Sequence, residues 1–333
     1  MSEASTLDYN TRLRKTIERN IFIDLLQRTC RAALPRSVSY ISMGGPFVQD
    51  HADIHISLGL DSLVSFDGDQ WVVDRQHFNR PVSSIACIRL TTADLVGEID
   101  DFFEKYVGNN SCAVWFDYTS PGERLSQLHE SQSVIRMLSH GDVFKITMNA
   151  HIASLGKAPS GSVDDISRYR YRQLEEQLAE FFPSLKGEET MDGQRMAVLL
   201  GHSFSIAADS AASPGCVFYP LSAFRYADGQ QMVTFCGVVL DRHKVQTYLE
   251  QSGLAEWEFK AKSFSDVSQI DVPSLSLREK IEIDRRVFDK SVMEIAEETL
   301  IALGPTRVQT EERITMYKRY YRFYPKMARI FAV

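Results

Sequence analysis

The chain has 333 residues, 44% of them hydrophobic and 24% charged, with a net charge of -7. That balance gives a core sufficient for one large domain or two ordinary ones, and it excludes a disordered or fibrous chain. The acidic total argues against a protein that coats nucleic acid over its whole surface, and no apolar run approaches the ~20 residues that span a bilayer.

The polar start "MSEASTLDYNTRLRK" lacks a hydrophobic signal core, so a cytoplasmic location is expected. In "TRLRKTIERNIFIDLLQRTCRAAL" the residues Leu13, Ile17, Ile21, Leu25 and Leu26 form one stripe, which predicts an opening helix. Short apolar runs then alternate with helical segments from 37 to 151. The strands are "VSYISM" (38–43), "DSLVSFD" (61–67), "SIACIRL" (84–90), "CAVWFDY" (112–118) and "VFKITMN" (143–149). Each is nearly continuously apolar, as strands buried on both faces should be, and the alternation predicts an α/β fold with a parallel sheet between helices.

After the first strand, "ISMGGPFVQDHADIH" passes through Gly44 and Gly45 into a polar segment with His51 and His55 four apart. This turn reads as a cofactor turn, as a metal site or as an ordinary turn. The histidines would share a helix face, but the Glu of H-E-x-x-H is missing, and Asp50 or His51 also suits a helix N-cap. Between the third and fourth strands, 92–108 predicts a helix through Leu95, Ile99, Phe102, Phe103 and Tyr106. At "SPGER", Ser120, Pro121 and Glu123 supply an N-cap, a first helical residue and a capping-box partner.

Beyond His151, "IASLGKAPSGSVDD" reads as a linker or exposed loop, followed by helices at 167–182 and roughly 191–211. Two further strands meet at Ala227-Asp228-Gly229-Gln230, where Asp-Gly is a strong hairpin signal. From Arg242 onward the pattern is mainly helical, with a capping box from Ser276 to Glu279. The expected organisation is an α/β core (1–151 and 216–240), a linker and helical insertion (152–215) and a helical extension (241–333). The five cysteines are scattered and never form C-x-x-C, so neither disulfides nor a zinc knuckle is expected.

Five parallel strand units followed by an antiparallel hairpin resemble the class I S-adenosylmethionine-dependent methyltransferases, over about 10–151 and again at 216–240. The resemblance implies a Rossmann-like sheet and S-adenosylmethionine as cofactor. It places Met43-Gly44-Gly45-Pro46 at the methionine end of that cofactor, where glycine admits close backbone approach. Asp67, with Asp69 beside it, falls at the ribose, where a carboxylate accepts two hydrogen bonds from a diol. Asp67 follows Gly45 by 22 residues, near the ~20 of such βαβ units. Thr91, Thr92 and Asp94 fall at the adenine, and Asp117 and Tyr118 of "DYTSP" fall at the catalytic end of the fourth strand. The sequence departs from the family in having Gly-Gly-Pro for G-x-G and no acid closing the first strand.

"YISMGGPFVQDHADIH", "SFDGD", "FNRP", "FRYADGQQM" and "YKRYYRFYP" also resemble a set of bacterial proteins classed as O-methyltransferases, found in defence-type (antiviral) gene neighbourhoods. The leading expectation is therefore methyl transfer to an unidentified acceptor. The rival is a catalytically degenerate methyltransferase fold kept as a binding subunit of a multiprotein assembly. No metal site is expected, because Asp117, Asn149 and His151 offer a single carboxylate to a hard cation. The segment 313–333 carries six Lys/Arg, no Asp/Glu and many tyrosines. It reads as a packed C-terminal helix or as a surface for nucleic acid or an acidic protein partner.

Overall fold

The computed structural model describes residues 12–32, 37–157, 162–184 and 190–325. Among these, one compact unit comprises 23–268 and a second comprises 12–22 with 269–325. The opening helix α1 spans Leu13–Ala32.

In the first unit the five expected parallel strands form β1 (Val38–Met43), β2 (Ser62–Asp67), β3 (Ile85–Arg89), β4 (Ser111–Asp117) and β5 (Val143–Asn149). The hairpin strands are β6 (Cys216–Asp228) and β7 (Gln230–Asp241), joined at Gly229, whose φ of +103° suits glycine alone. The sheet order is β3-β2-β1-β4-β5-β7-β6, with the two-residue β8, Ser268–Gln269, beyond β6. All pairs from β3 to β5 are parallel, whereas β7 runs antiparallel to both β5 and β6. The chain order reverses between β1 and β4, which is where open α/β sheets bind ligands.

The helices of this unit are α2 (Gln49–Leu58), α3 (Gln70–Asn79), α4 (Thr92–Gly97), α5 (Ile99–Tyr106), α6 (Arg124–Met137), α7 (Val163–Leu178), α8 (Gly193–Ala211) and α9 (Val245–Ser252). The main core includes Ile41, Val64, Phe66, Val114, Phe116, Phe144 and Ile146 of the sheet, with Leu128, Leu174 and Phe204 of the helices. Phe204 stacks on Phe235 with ring centroids 5.5 Å apart and meets Phe264 edge-on at 4.9 Å. By period-2 alternation the opposite sheet face carries Ser42, Ser65, Trp115, Lys145 and Thr147, all buried.

Three local expectations are corrected. The helix of 92–108 is two helices, because Glu98 at φ -121°, ψ 37° ends α4 and starts α5. Ser120 does not cap α6: the helix starts at Arg124, with Glu123 at the N-cap and no side-chain cap bond. The Ser120 carbonyl instead accepts Gln127 Nε2 at 2.9 Å, leaving Pro121 and Gly122 outside the helix. Neither Asp50 nor His51 caps α2, which begins at Gln49 after Val48 in the left-handed region (φ 43°, ψ 39°). The stretch 152–165 is not wholly exposed, since Leu155 is buried in a short 3-10 turn; its residues 158–161 lie outside the described ones.

The second unit contains α10 (Leu277–Asp284), α11 (Val292–Thr299) and α12 (Arg307–Tyr320). Capping boxes start α10 at Ser276 with Glu279, as expected, and α11 at Ser291 with Glu294. Tyr317 is fully buried and donates to Asp284 Oδ1 at 2.5 Å. Among the described residues, no helix is long and apolar enough to cross a membrane.

Candidate functional site

A cleft of about 530 Å³ opens at the carboxyl ends of β1 to β4. Met43 comes from the end of β1, Phe66 and Asp67 from the end of β2 with Gly68 after it, Leu90 and Thr91 from the β3–α4 connection with Thr92 and Ala93 from the start of α4, and Asp117 from the end of β4 with Tyr118 to Ser120 after it. Glu123, Ser126, Gln127 and Glu130 complete it from α6. The spacing of those four, at i, i+3, i+4 and i+7, puts them on one face of the helix. Among the described residues the cleft is lined by four carboxylates, Asp67, Asp117, Glu123 and Glu130, and by no Lys, Arg or His. Such a lining favours a ligand carrying positive charge and hydrogen-bond donors.

Of the residues expected at a cofactor, Asp67, Thr91 and Thr92 line the cleft together with Asp117 and Tyr118. Burial raises the Asp67 pKa above the usual aspartate value, against the hydrogen bond from the Asp69 N–H to Asp67 Oδ1 at 2.8 Å. Asp69 is the N-cap of α3, accepting from the Trp71 N–H at 2.9 Å. Asp94 closes a capping box with Thr91, taking the Thr91 hydroxyl at 2.6 Å and the Thr91 N–H at 3.2 Å. Asp69 and Asp94 are thus engaged at helix starts, and neither lines the cleft.

The glycine turn is governed by packing. A Cβ on Gly44 would lie 1.9 Å from Ser65 Oγ, and the Gly44 carbonyl accepts Gln76 Nε2 at 2.5 Å. The Gly45 carbonyl accepts the Val48 N–H at 3.1 Å, which closes the turn. Below it, Asp50 Oδ2 accepts from the hydroxyls of Tyr40 at 2.7 Å and Ser42 at 2.5 Å. His51 is fully buried, with Nδ1 3.1 Å from Asp50 Oδ1 and Nε2 2.9 Å from the Val64 carbonyl. His55 faces the Leu60 carbonyl at 2.8 Å. The two histidines therefore fasten α2 locally instead of meeting at a common ligand.

At the end of β4, Tyr118 donates its phenol proton to Glu130 and also meets the Thr92 side chain. Burial, then the charge of Glu130, raises the Tyr118 pKa well above the ordinary phenol value, so it stays protonated and acts as a donor. Asp117 pairs in register with Thr147 of β5. Asn149 is held on both sides: Nδ2 reaches Gln230 Oε1 at 2.8 Å and the Thr119 carbonyl at 3.3 Å, while Oδ1 accepts the His151 N–H at 3.0 Å. Fully buried Arg124, its pKa pushed down to about 10 by desolvation, bonds the Asn149 carbonyl at 3.0 Å and Ser154 Oγ at 2.7 Å. Among the described residues, no three His, Cys, Asp or Glu side chains are grouped to hold a metal.

The α6 wall was not anticipated from the sequence. Its signal is present there: Glu123, Ser126, Gln127 and Glu130 form a polar stripe on a helix that follows a central strand and buries Leu128, Val134 and Ile135. In 313–333, residues 326–333 lie outside the described ones. Tyr317, Tyr320 and Tyr324 are buried, and their hydroxyls reach Asp284, the Gln269 carbonyl and the Pro273 carbonyl.

The strand order, the reversal between β1 and β4 and the cleft at their carboxyl ends define a class I methyltransferase architecture. Residues 7–332 match the family described as "Putative O-methyltransferase", and the chain belongs to that family. No curated protein matches the chain. Among solved structures it is similar to Trm1 from Pyrococcus horikoshii in complex with S-adenosyl-L-methionine, at 12% identity and TM-score 0.45, covering 71% of this chain and 58% of that one. It is also similar to PigF with SAH, at 12% identity and TM-score 0.33, covering 67% of this chain and 63% of that one. The chain thus spans less than two thirds of either protein.

Proposed function

We propose that this protein is an S-adenosylmethionine-dependent O-methyltransferase whose cofactor lies in the cleft along β1 to β4. The observation that carries the reading is the cleft itself: an acceptor-rich lining, without Lys, Arg or His among the described residues, placed at the switch point of the sheet. When bound, the cofactor supplies an electrophilic methyl group on a positively charged sulfur. In this reading Asp67 takes the ribose hydroxyls, Thr91 and Thr92 border the base, and Met43 backs the methionine end. Asp117 positions the acceptor hydroxyl or removes its proton, and the protonated Tyr118 fixes Glu130 beside it. Catalysis then consists mainly of proximity and orientation.

Calorimetric titration with S-adenosylmethionine and S-adenosylhomocysteine tests this. Saturable binding with a raised Tm is expected. A second reading, a binding subunit that retains the fold without transfer, is favoured by the engagement of Gly44, Asp69 and Asp94 in packing and capping. Absence of heat and of any thermal shift at millimolar ligand selects it. A docking role for 313–333 is a separate proposal. With Tyr317, Tyr320 and Tyr324 internal, the contact offered to nucleic acid is phosphate pairing by Lys and Arg, read as salt-dependent retention on DNA or RNA.

A further inference from the structure

Helix α3 holds an aromatic and cationic stripe in solvent. Trp71, Arg75 and Phe78 stand at i, i+4 and i+7 and so share one face, turned away from the buried Val72, Val73 and Gln76. Trp71 is 42% exposed and Phe78 90%. Phe47, from the turn after β1, joins the stripe, because the Arg75 guanidinium lies 4.8 Å from its ring centroid and 5.0 Å from that of Trp71. That turn is already fastened to α3 by Gln76 Nε2 on the Gly44 carbonyl and Asn79 Nδ2 on the Pro46 carbonyl. Phe78 serves neither the core nor this attachment, and an aromatic ring left in water forgoes the gain of burying it. Arg75 makes no ion pair among the described residues. Exposed Arg89, which donates Nε to the Gly68 carbonyl at 3.3 Å just ahead of α3, makes none among them either. Asp74, the acid within α3, accepts from Gln70 Nε2 at 2.8 Å.

We propose that this stripe binds the unpaired bases of a single-stranded nucleic acid. The complementarity is one of charge and shape. An unpaired strand alternates anionic phosphates with flat rings, as the stripe alternates a guanidinium with aromatic rings, and bases stack on aromatic faces whatever their sequence. Such a contact is carried by stacking, with few phosphates paired, which suits a chain of net charge -7. A second copy is a poor occupant: docked face to face about a two-fold axis, it would set Arg75, at the middle of the stripe, against its own mate. A membrane surface would call for a cluster of cations that the stripe lacks. The inference does not depend on the cofactor reading.

The test follows the anisotropy of a short fluorescein-labelled oligouridylate titrated with the full chain, and tryptophan emission with the unlabelled strand. Trp115 and Trp257 are buried, so quenching on binding reports Trp71. Saturable binding with quenching is expected, and a duplex of equal length, whose bases are already paired and stacked, should bind about tenfold more weakly or worse. Phe78→Ala and Trp71→Ala should each weaken binding by about tenfold, the second abolishing the quenching. Arg75→Gln should weaken it and lower the slope of log affinity against log salt by about one. Folded Phe78→Ala and Trp71→Ala proteins with wild-type affinity overturn the assignment. So does a duplex bound as tightly as the single strand, or no response to oligouridylate even at low salt. Saturation by polyglutamate or by phosphatidylserine vesicles, lost in the same variants while oligouridylate fails to bind, also overturns it and makes the stripe a site for an acidic protein or a membrane.

Discussion

His51 lies against Asp50 in a buried pair, Nδ1 3.1 Å from Oδ1, where the chain passes from β1 into α2. Burial alone would raise the Asp50 pKa, but the His51 charge and hydrogen bonds from His51, Ser42 and Tyr40 outweigh it and hold the carboxyl below the usual range. Burial alone would lower the His51 pKa, and the Asp50 charge outweighs that and raises it. The raised His51 value contributes stability that is complete below the unfolded pKa of about 6.5 and is lost as pH rises through the folded value. The depressed Asp50 value contributes stability present above about 3.9 and lost as pH falls through the folded value. Against an Asp50→Asn/His51→Gln protein, the wild-type Tm advantage is therefore expected to peak between about pH 4 and 6.5 and shrink at alkaline pH. His51→Phe, which leaves the carboxylate buried without its partner, should cost about 3–5 kcal/mol by denaturant titration. A flat difference across pH contradicts the charged pair.

Gly44 and Ser65 make the second test. Gly44→Ala drives a methyl to within 1.9 Å of Ser65 Oγ and should destabilise by about 1–3 kcal/mol. Ser65→Ala alone should be near neutral, because that buried hydroxyl has no partner among the described residues. In the double variant the obstruction recedes to the Ser65 Cβ, 3.1 Å away, so the Gly44→Ala penalty should shrink by at least about 0.5 kcal/mol. Strict additivity shows that the turn can move aside and that Gly44 is not required for packing.

These pairs also show what the sequence could and could not disclose. The β5 bounds and the hairpin turn at Gly229 were legible because long apolar runs and an Asp-Gly pair leave few alternatives. The position of Asp67 was legible for the same reason, since a strand end fixes where the next side chain stands. The competition for Asp69 and Asp94 was not, because an aspartate before a helix serves the helix and a ligand equally well until the N–H groups around it are located. The α6 wall needed tertiary placement: a polar stripe on a helix is ordinarily solvated, and only the sheet shows that this one borders a cleft.

Asp67→Ala is expected to weaken S-adenosylmethionine binding by about 1–3 kcal/mol without loss of fold, by removing an acceptor for the ribose diol. Because burial raises the Asp67 pKa, its acceptor charge is lost on acidification at a higher pH than for an exposed aspartate. Wild-type affinity should decline over that range, and Asp67→Asn should flatten the decline. Unchanged affinity in folded Asp67→Ala excludes the ribose role.

The chemistry at the sheet edge gives the last expectation. A divalent ion that activates an acceptor hydroxyl needs several hard oxygens converging from the ends of adjacent strands. Asp117 ends β4, but its neighbour at the end of β5, Asn149, has its amide nitrogen on Gln230 and its amide oxygen on the His151 N–H, while its carbonyl takes Arg124. Recruiting the Asn149 amide oxygen to a cation would compete with the His151 N–H that it accepts just beyond β5. One carboxylate without that help is a weak Mg²⁺ site. Any methyl transfer is therefore expected to survive EDTA. Asp117→Ala should lower kcat by about 10²–10⁴-fold if the carboxylate acts as base, and Asp117→Asn should separate proton removal from positioning by restoring binding of the acceptor but not kcat. Activity lost in EDTA, restored by Mg²⁺ and absent in Asp117→Ala would instead establish a metal-dependent reaction.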